Sequence, residues 1–411
     1  MKIAVVVSKF PTVSETFVIN QIIYLLDKGH EVTILAYRKG DFAKIHQAVT
    51  DYGLLDKCLY FEKASPNRLN RFTQLVKLLL NAKTVNWSVF FKVFRNPKAW
   101  LNLKSAIYAQ WFLVNDFDLI HIHWAHNAKV VALLKENKII NIPYFVTFHG
   151  SDIQPNLLNN YKSDYEQVLK HLSSVLVNTE YTKGLATNLV SEDRILILPV
   201  SLDTLKFKKD ENLKKSNDFK ILFCGRLIKL KGPDIALMIL NDLVNNKKCQ
   251  NIKLTIIGEG DFRQDLIEII QLYELKDYVE LLGEMTQEEV LEQMSLCDVF
   301  VLPGIHEPIT HRAETQGLVI QEAQSMGLPV VVSDAGGMKY GLVDGETGFV
   351  VRENDIKGFS DKIEYLYRNS TIREEMGIRA RKFAVENYDI KILGEKLEKI
   401  FYNQLNSSSL N

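Results

Sequence analysis

At 411 residues the chain is long enough for two to three domains of ~150 residues each. Its 46% hydrophobic and 24% charged residues are ordinary globular values, and they exclude a disordered tail, a fibrous repeat and a disulfide miniprotein. Lys and Arg number 50 against 50 Asp and Glu, so no whole-chain field draws nucleic acid or a membrane. Cys58, Cys224, Cys249 and Cys297 show no paired zinc spacing and read as reduced, buried thiols of a cytoplasmic protein. Met1 leads almost at once into an apolar run, so no signal peptide is expected. No run reaches the ~18 apolar residues of a spanning helix.

Short β-branched runs alternate with helical patterns. Strands are predicted at 3–7, 32–37, 119–123, 144–148, 175–178 and 195–198, then at 220–223, 253–257, 279–282, 299–302, 330–333 and 348–351. Helices are predicted at 15–28, 235–245, 262–273 and 287–294, with Thr12 and Glu15 fitting a capping box for the first. Continuous apolar strands separated by helices mean parallel sheets covered on both faces, and twelve are too many for one such sheet. Between the two sets, LDTLKFKKDENLKKSNDF is charged and aperiodic and reads as a linker at 201–218. The expected fold class is therefore α/β, with doubly wound domains at 1–200 and 219–375. Helices over 376–411 are expected to return to the first domain and end in a polar, frayed tail from 406.

Ligands of such sheets bind beyond the carboxyl ends of the strands. In GRLIKLKG, Gly225, Arg226 and Lys231 follow a strand, and Pro233 suits a first helical turn. An Arg fork and a mobile Lys suit a diphosphate; a solvated basic loop is the alternative for this motif taken alone. In ETQGLVIQEAQSMGLP, Gly317 separates Glu314 from a helix beginning near Leu318. The amides at Gly317, Leu318 and Val319 would make an anion site at the helix N-terminus, with Glu322 one turn inside able to accept from a sugar or ribose diol. Surface solvation is the plain alternative for both glutamates. Asp334-Ala335-Gly336-Gly337 allows close backbone approach to a ligand, or is an ordinary tight turn.

These segments, in this order, resemble the retaining glycosyltransferases of family 4, which have the two-domain glycosyltransferase-B fold. The resemblance rests on GRLIKLKG, IIGEGDFR, VELLGE, the glutamate pair and GLPVVVSDAGG. FPTVSETF, HIHWAH and TFHGSD resemble the subgroup that builds bacterial surface polysaccharides. The resemblance implies two facing Rossmann-like domains with a cleft between them. It implies sugar transfer from a UDP- or GDP-linked donor to a lipid-linked saccharide acceptor, with no cofactor and no metal. Arg226 and Lys231 would hold the diphosphate, Glu314 would approach the donor sugar, Glu322 the ribose, and His149 the transferred sugar. Gly225, Gly258, Arg263, Gly317, Leu318 and Val319 complete the implied donor site. A front-face route needs no dedicated base, because a leaving phosphate oxygen takes the acceptor's proton. The sequence departs from the family at Thr315-Gln316, where many relatives place a glycine directly after the first Glu, and in the His- and Pro-rich loop GIHEPITHRA.

Other features carry less. His121, His123 and His126 imitate a metal cluster, but no Cys or carboxylate completes the set. GEGDFR imitates a dinucleotide fingerprint whose third glycine is replaced by Arg263. A nucleotide-sugar epimerase of the same fold and a non-catalytic sugar-nucleotide binder are the rival readings. Residues 63–115 carry nine Lys or Arg and no Asp or Glu, leaving 41 basic against 50 acidic residues elsewhere. They also hold Trp87, Trp100 and Trp111, and Leu69, Phe72, Val76 and Leu79 follow helical spacing. That pattern suits a helix lying on the anionic inner face of the cytoplasmic membrane, or core helices with a solvated basic face.

Overall fold

The computed structural model describes residues 1–12, 15–42, 45–61, 64–80, 103–113, 115–155, 165–210, 212–213 and 216–408. Two all-parallel sheets dominate it. The first contains β1 (Lys2–Val7), β2 (Glu31–Ala36), β3 (Cys58–Tyr60), β4 (Leu119–His123), β5 (Tyr144–Thr147), β6 (Ser174–Val177) and β7 (Ile195–Ile197), in the order β3-β2-β1-β4-β5-β6-β7. The second contains β8 (Phe219–Cys224), β9 (Ile252–Ile257), β10 (Val279–Gly283), β11 (Val299–Leu302), β12 (Val330–Ser333) and β13 (Gly348–Val351), in the order β10-β9-β8-β11-β12-β13. These are two Rossmann-like lobes.

The central strand of each sheet explains its sequence. In β1, Val5 lies between Ile34 of β2 and His121 of β4, and Ile3 to Val7 are all buried. With both faces covered, a strand reads as an unbroken apolar run instead of an alternation. All twelve predicted strands form, within a residue or two of their expected ends. The thirteenth, β3, is a three-residue edge strand registered through Ile34 and Cys58, too short to show a pattern.

Helix boundaries follow local chemistry. The helix Gln287–Leu296 carries a full capping box between Thr286 and Glu289. The box expected at Thr12 and Glu15 does not form. Glu15 itself takes the N-cap position of Thr16–Asp27 without capping it, and its half-buried carboxylate bonds Thr12. Pro233–Asn241 begins on its proline and passes into a π turn at Asp242–Asn246.

The segment after β7 is more ordered than its charge suggests. Leu202 and Phe207 are buried, and Leu202 bridges to Asp389. The terminal helix Ile390–Ser408 runs three residues into the polar tail expected from 406. It docks on the first lobe: Phe401 is fully buried, its ring 5.1 Å from Phe145 and 5.5 Å from His121. His30 Nε2 lies 2.8 Å from Glu398 Oε1, and a Cβ on Gly394 would meet the Tyr24 ring at 2.4 Å. Of the basic stretch, the helix Arg68–Leu80 buries Leu75 and exposes Leu69 and Phe72, while Trp111 packs inward on Phe61 at 5.8 Å. Lys63, Lys83, Lys92, Arg95 and Lys98, with Trp87 and Trp100, lie outside the described residues.

If the terminal helix is part of the first lobe's core, Phe401→Ala opens a cavity there and costs about 3–5 kcal/mol. A urea melt followed by tryptophan fluorescence should show an earlier transition; an unchanged midpoint would mean that the helix is an appendage.

Candidate functional site

The carboxyl end of β8 runs into the loop that carries Arg226 and Lys231. Gly225 donates its N–H to Ile257 O at 3.0 Å, and the Lys231 chain passes beside it, 3.9 Å from where a Cβ would stand. Gly258 and Gly260, after β9, press directly on the Gly225 and Leu227 carbonyls. Those glycines therefore serve loop-on-loop packing, and the fingerprint-like GEGDFR needs no dinucleotide to explain it. Arg263 is half exposed and pairs with Glu259 at 3.3 Å. Arg226 is exposed, and its guanidinium makes no hydrogen bond or ion pair among the described residues.

Lys231 reaches across to β11's extension and forms a short ion pair with Glu314, both side chains largely buried. The other Glu314 oxygen, Oε1, accepts the N–H groups of Thr315 at 3.1 Å and Gly317 at 3.2 Å. Burial works to raise the Glu314 pKa, but the Lys231 ammonium and these amides outweigh it and hold the carboxyl below its ordinary range. Gly317 takes φ 74°, the left-handed turn that lets the chain double back into the helix Leu318–Ser325. The amides of Leu318 and Val319 stand at the open N-terminus of that helix. The turn after β12 supports the loop from below: Gly337 N–H donates to Glu314 O at 2.7 Å, and a Cβ on Gly336 would strike the same carbonyl. The close approach allowed by Gly336 and Gly337 is to this backbone.

Glu322 lies one turn into the helix and has the opposite character. Burial pushes its pKa up to about 7, against the pull of Lys231. It in turn helps burial raise the neighbouring Cys224 thiol to about 12. One ammonium thus serves two carboxylates, one held ionised and one titrating near neutrality.

The first lobe contributes His149, just after β5. Its ring packs between Phe17 (4.8 Å), Trp124 (4.7 Å) and a stacked His123 (5.1 Å). Trp124 holds φ 64°, a costly backbone for a bulky residue that here aims the indole at His149. Asp152 is buried and accepts the N–H groups of His149 at 3.0 Å and Ala125 at 2.9 Å. Burial, with His121 adding to it, pushes the His149 pKa down to about 3, so the imidazole is neutral. His123 Nδ1 lies 2.9 Å from His149 Nε2, and His123 Nε2 is buried with no partner among the described residues. A bare lone pair is cheaper to orphan than an N–H, so we assign the shared proton to His123 and the His149 proton to Nδ1.

Of the three-histidine set, His121 and His123 keep their rings 4.4 Å apart and only His126 leaves. His121 Nε2 bonds Thr147 Oγ1 at 2.8 Å, and His126 turns outward to Ser8 Oγ at 2.9 Å. Among the described residues no group of three His, Cys, Asp or Glu is placed to hold a metal. Sequence reasoning missed Phe17, His123, Trp124 and Asp152 as partners of His149, although all four lie inside the motifs FPTVSETF, HIHWAH and TFHGSD. It also missed that Thr315 and Gln316 touch the first lobe.

The raised Glu322 pKa has a signature. Its ionised form is disfavoured only in the folded chain, so the cost appears above about 4.5 and is complete above about 7. Glu322→Gln should therefore raise Tm at pH 8, and the gain should vanish toward pH 4.5. A gain independent of pH, or none, would place the carboxyl in a solvated setting.

Comparison with known proteins agrees with this geometry. The model of Glycosyltransferase Family 4 matches residues 14–204, and that of Glycosyl transferases group 1 matches residues 206–383. The putative colanic acid biosynthesis glycosyltransferase WcaL of Salmonella typhimurium is 26% identical, over 97% of this chain and 99% of its own. The amylovoran biosynthesis glycosyltransferase AmsK of Erwinia amylovora is 25% identical, over 88% and 89%. Among solved structures, Anabaena HepE in complex with UDP superposes with a TM-score of 0.74 at 17% identity, covering 98% of this chain and all of its own. A glycosyltransferase from Rickettsia africae gives 0.73 at 19%, covering 98% of each chain. With a family model on each lobe and the fold shared by these structures, the chain belongs to glycosyltransferase family 4 and is a glycosyltransferase of the glycosyltransferase-B fold.

Proposed function

We propose that the chain transfers a sugar from a UDP- or GDP-linked donor to a lipid-linked saccharide during cell-surface polysaccharide assembly, with retention at the anomeric carbon and without a metal ion. The observation that carries this reading is Lys231 set between an ionised Glu314 and a near-neutral Glu322 beside an open helix N-terminus. That is a site for a diphosphate next to hydroxyl groups. The names of WcaL and AmsK, both polysaccharide biosynthesis glycosyltransferases, support the pathway, and HepE bound to UDP supports the donor class.

In this reading the second lobe takes the donor and residues 1–200 take the acceptor. Arg226 and Lys231 neutralise the diphosphate as the bond from the anomeric carbon to phosphate oxygen breaks. The leaving phosphate oxygen accepts the proton of the acceptor hydroxyl, whose oxygen forms the new bond on the same face. Glu322 takes the ribose hydroxyls. Glu314, with both oxygens already committed, orients Lys231 and the sugar. A neutral His149 offers Nδ1–H to a sugar hydroxyl. No step requires a cofactor.

Membrane docking is part of the same proposal. Leu69 is 76% and Phe72 56% exposed on a helix that also carries Arg71 and Lys77, in a stretch without acidic residues. Each cation near anionic lipid adds about 1 kcal/mol. Vesicles containing phosphatidylglycerol should sediment the protein, and Leu69→Ser with Phe72→Ser should release it. Equal binding to neutral vesicles would refute an electrostatic dock.

Incubation with radiolabelled UDP- and GDP-sugars and a lipid-linked acceptor tests the activity, and proton NMR of the product tests retention. Arg226→Ala and Lys231→Ala should each reduce kcat by about 100-fold or more, and EDTA should leave the rate unchanged. Near-normal turnover in both variants would overturn the assignment.

A further inference from the structure

We propose that Thr315 and Gln316 are positioning residues: by locking the two lobes together they set the separation of His149 and Glu314. This rests on the reading that those two groups flank the transferred sugar.

The two residues sit between Glu314 and Gly317 and tie that loop to three successive strand ends of the first lobe. Asn178, after β6, donates Nδ2–H to Thr315 Oγ1 at 3.1 Å. Thr315 Oγ1–H points to His149 O, after β5, at 3.5 Å. Thr179 donates Oγ1–H to Thr315 O at 2.8 Å. Gln316 treats Val200, after β7, as a strand neighbour would: its Oε1 accepts the Val200 N–H at 2.8 Å, and its Nε2 donates to the Val200 carbonyl at 3.0 Å. The remaining Gln316 N–H goes to Gln321 Oε1 at 3.2 Å.

The arrangement is oriented and dry. Thr182 donates to Asn178 Oδ1 at 2.6 Å, which fixes the Asn178 amide with its N–H toward Thr315. Asn178, Thr179, Thr315 and Gln316 are each at most 6% exposed. The fit also demands Gly150: a Cβ there would stand 2.6 Å from the Thr315 side chain. Thr315 therefore touches the residue on either side of the lobe junction that the chemistry uses. It is bonded to the His149 carbonyl and is the covalent neighbour of Glu314, whose Oε1 accepts the Thr315 N–H. Loss of this one contact lets His149 move relative to Glu314, which stays with Lys231 and the helix N-terminus in the second lobe.

The isosteric change Thr315→Val removes the hydroxyl and keeps the shape. A misplacement of ~1 Å at a reacting centre can cost ~100-fold, so kcat should fall by ~30- to 100-fold, with UDP affinity by calorimetry within ~3-fold of wild type. Thr315→Ser should restore kcat to within ~3-fold. Asn178→Ala combined with Thr315→Val should be no slower than the worse single variant. Small-angle scattering without ligand should show a larger radius of gyration for Thr315→Val and Gln316→Ala. Ser325→Ala removes a different buried bond between the second lobe and the linker, to Phe207 O at 2.8 Å. It should lower Tm and leave kcat unchanged. A Thr315→Val enzyme with wild-type kcat, a Ser variant that falls equally, or unchanged scattering overturns the proposal. If the wild type transfers no sugar at all, the transferase reading fails, and the scattering comparison still decides the lock.

Discussion

The site depends on one buried ion pair, Lys231 with Glu314. Neither partner is stable alone in its place. An isolated ammonium or carboxylate at this depth would carry several kcal/mol of uncompensated desolvation, which is why breaking one side of such a pair is far costlier than lacking both. The pair is tolerated because Glu314 spends its second oxygen on two backbone amides, and those amides exist because Gly317 turns the chain left-handed before the helix. The strand end, the glycine turn and the helix N-terminus are thus one electrostatic unit. On the proposed reading, incoming phosphate oxygens would find Lys231 already held in place by Glu314, with little reorganisation left to do.

The same ammonium explains why two glutamates eight residues apart behave differently. Glu314 makes direct contact with it and stays ionised. Glu322 feels it only through space, and burial dominates, so its proton is held to about pH 7. A carboxyl near its titration point suits a partner that arrives with hydroxyl groups to donate, since binding supplies the hydrogen bonds that ionisation needs. On the opposite wall, burial keeps His149 neutral, and His123 dictates its tautomer. Charge is concentrated on one lobe, and the other offers neutral donors.

The parts of this that the sequence made legible are those carried by local pattern. Buried parallel strands read as unbroken apolar runs, so the strands of both sheets were visible, while three-residue β3 gave no window to read. Lys231, Glu314, Gly317 and Glu322 stood out because each lies where a strand end or helix start gives its residue type a purpose. Contacts that cross between lobes leave no such trace. Nothing in the spacing of Asn178, Thr179 and Val200 announces that they meet Thr315 and Gln316, more than a hundred residues away. The failed capping box has the same origin: Thr12 and Glu15 have the right spacing, but tertiary burial of the Glu15 carboxylate decides where the helix starts. The order of the 201–218 stretch was not legible, because Leu202 and Phe207 are two apolar anchors in a charged stretch, too few to form a period.

The lobes are joined by two chemically different seams, and the difference sets what each would cost to open. Away from the cleft the seam is apolar. One hydrophobic core runs from the first sheet through Leu202, Phe207, Tyr388, Leu393 and Phe401 into the second lobe. Opening it would expose apolar surface at ~25 cal/mol per Å², with nothing gained in return. At the cleft the seam is polar, a short set of hydrogen bonds around Thr315 and Gln316 that water can replace at a net cost of only ~1 kcal/mol each. The apolar seam is therefore the costlier of the two to open. The two seams meet where Gln316 grips Val200, two residues before Leu202 enters the apolar core, so the loop bearing Glu314 is fastened beside the stronger seam.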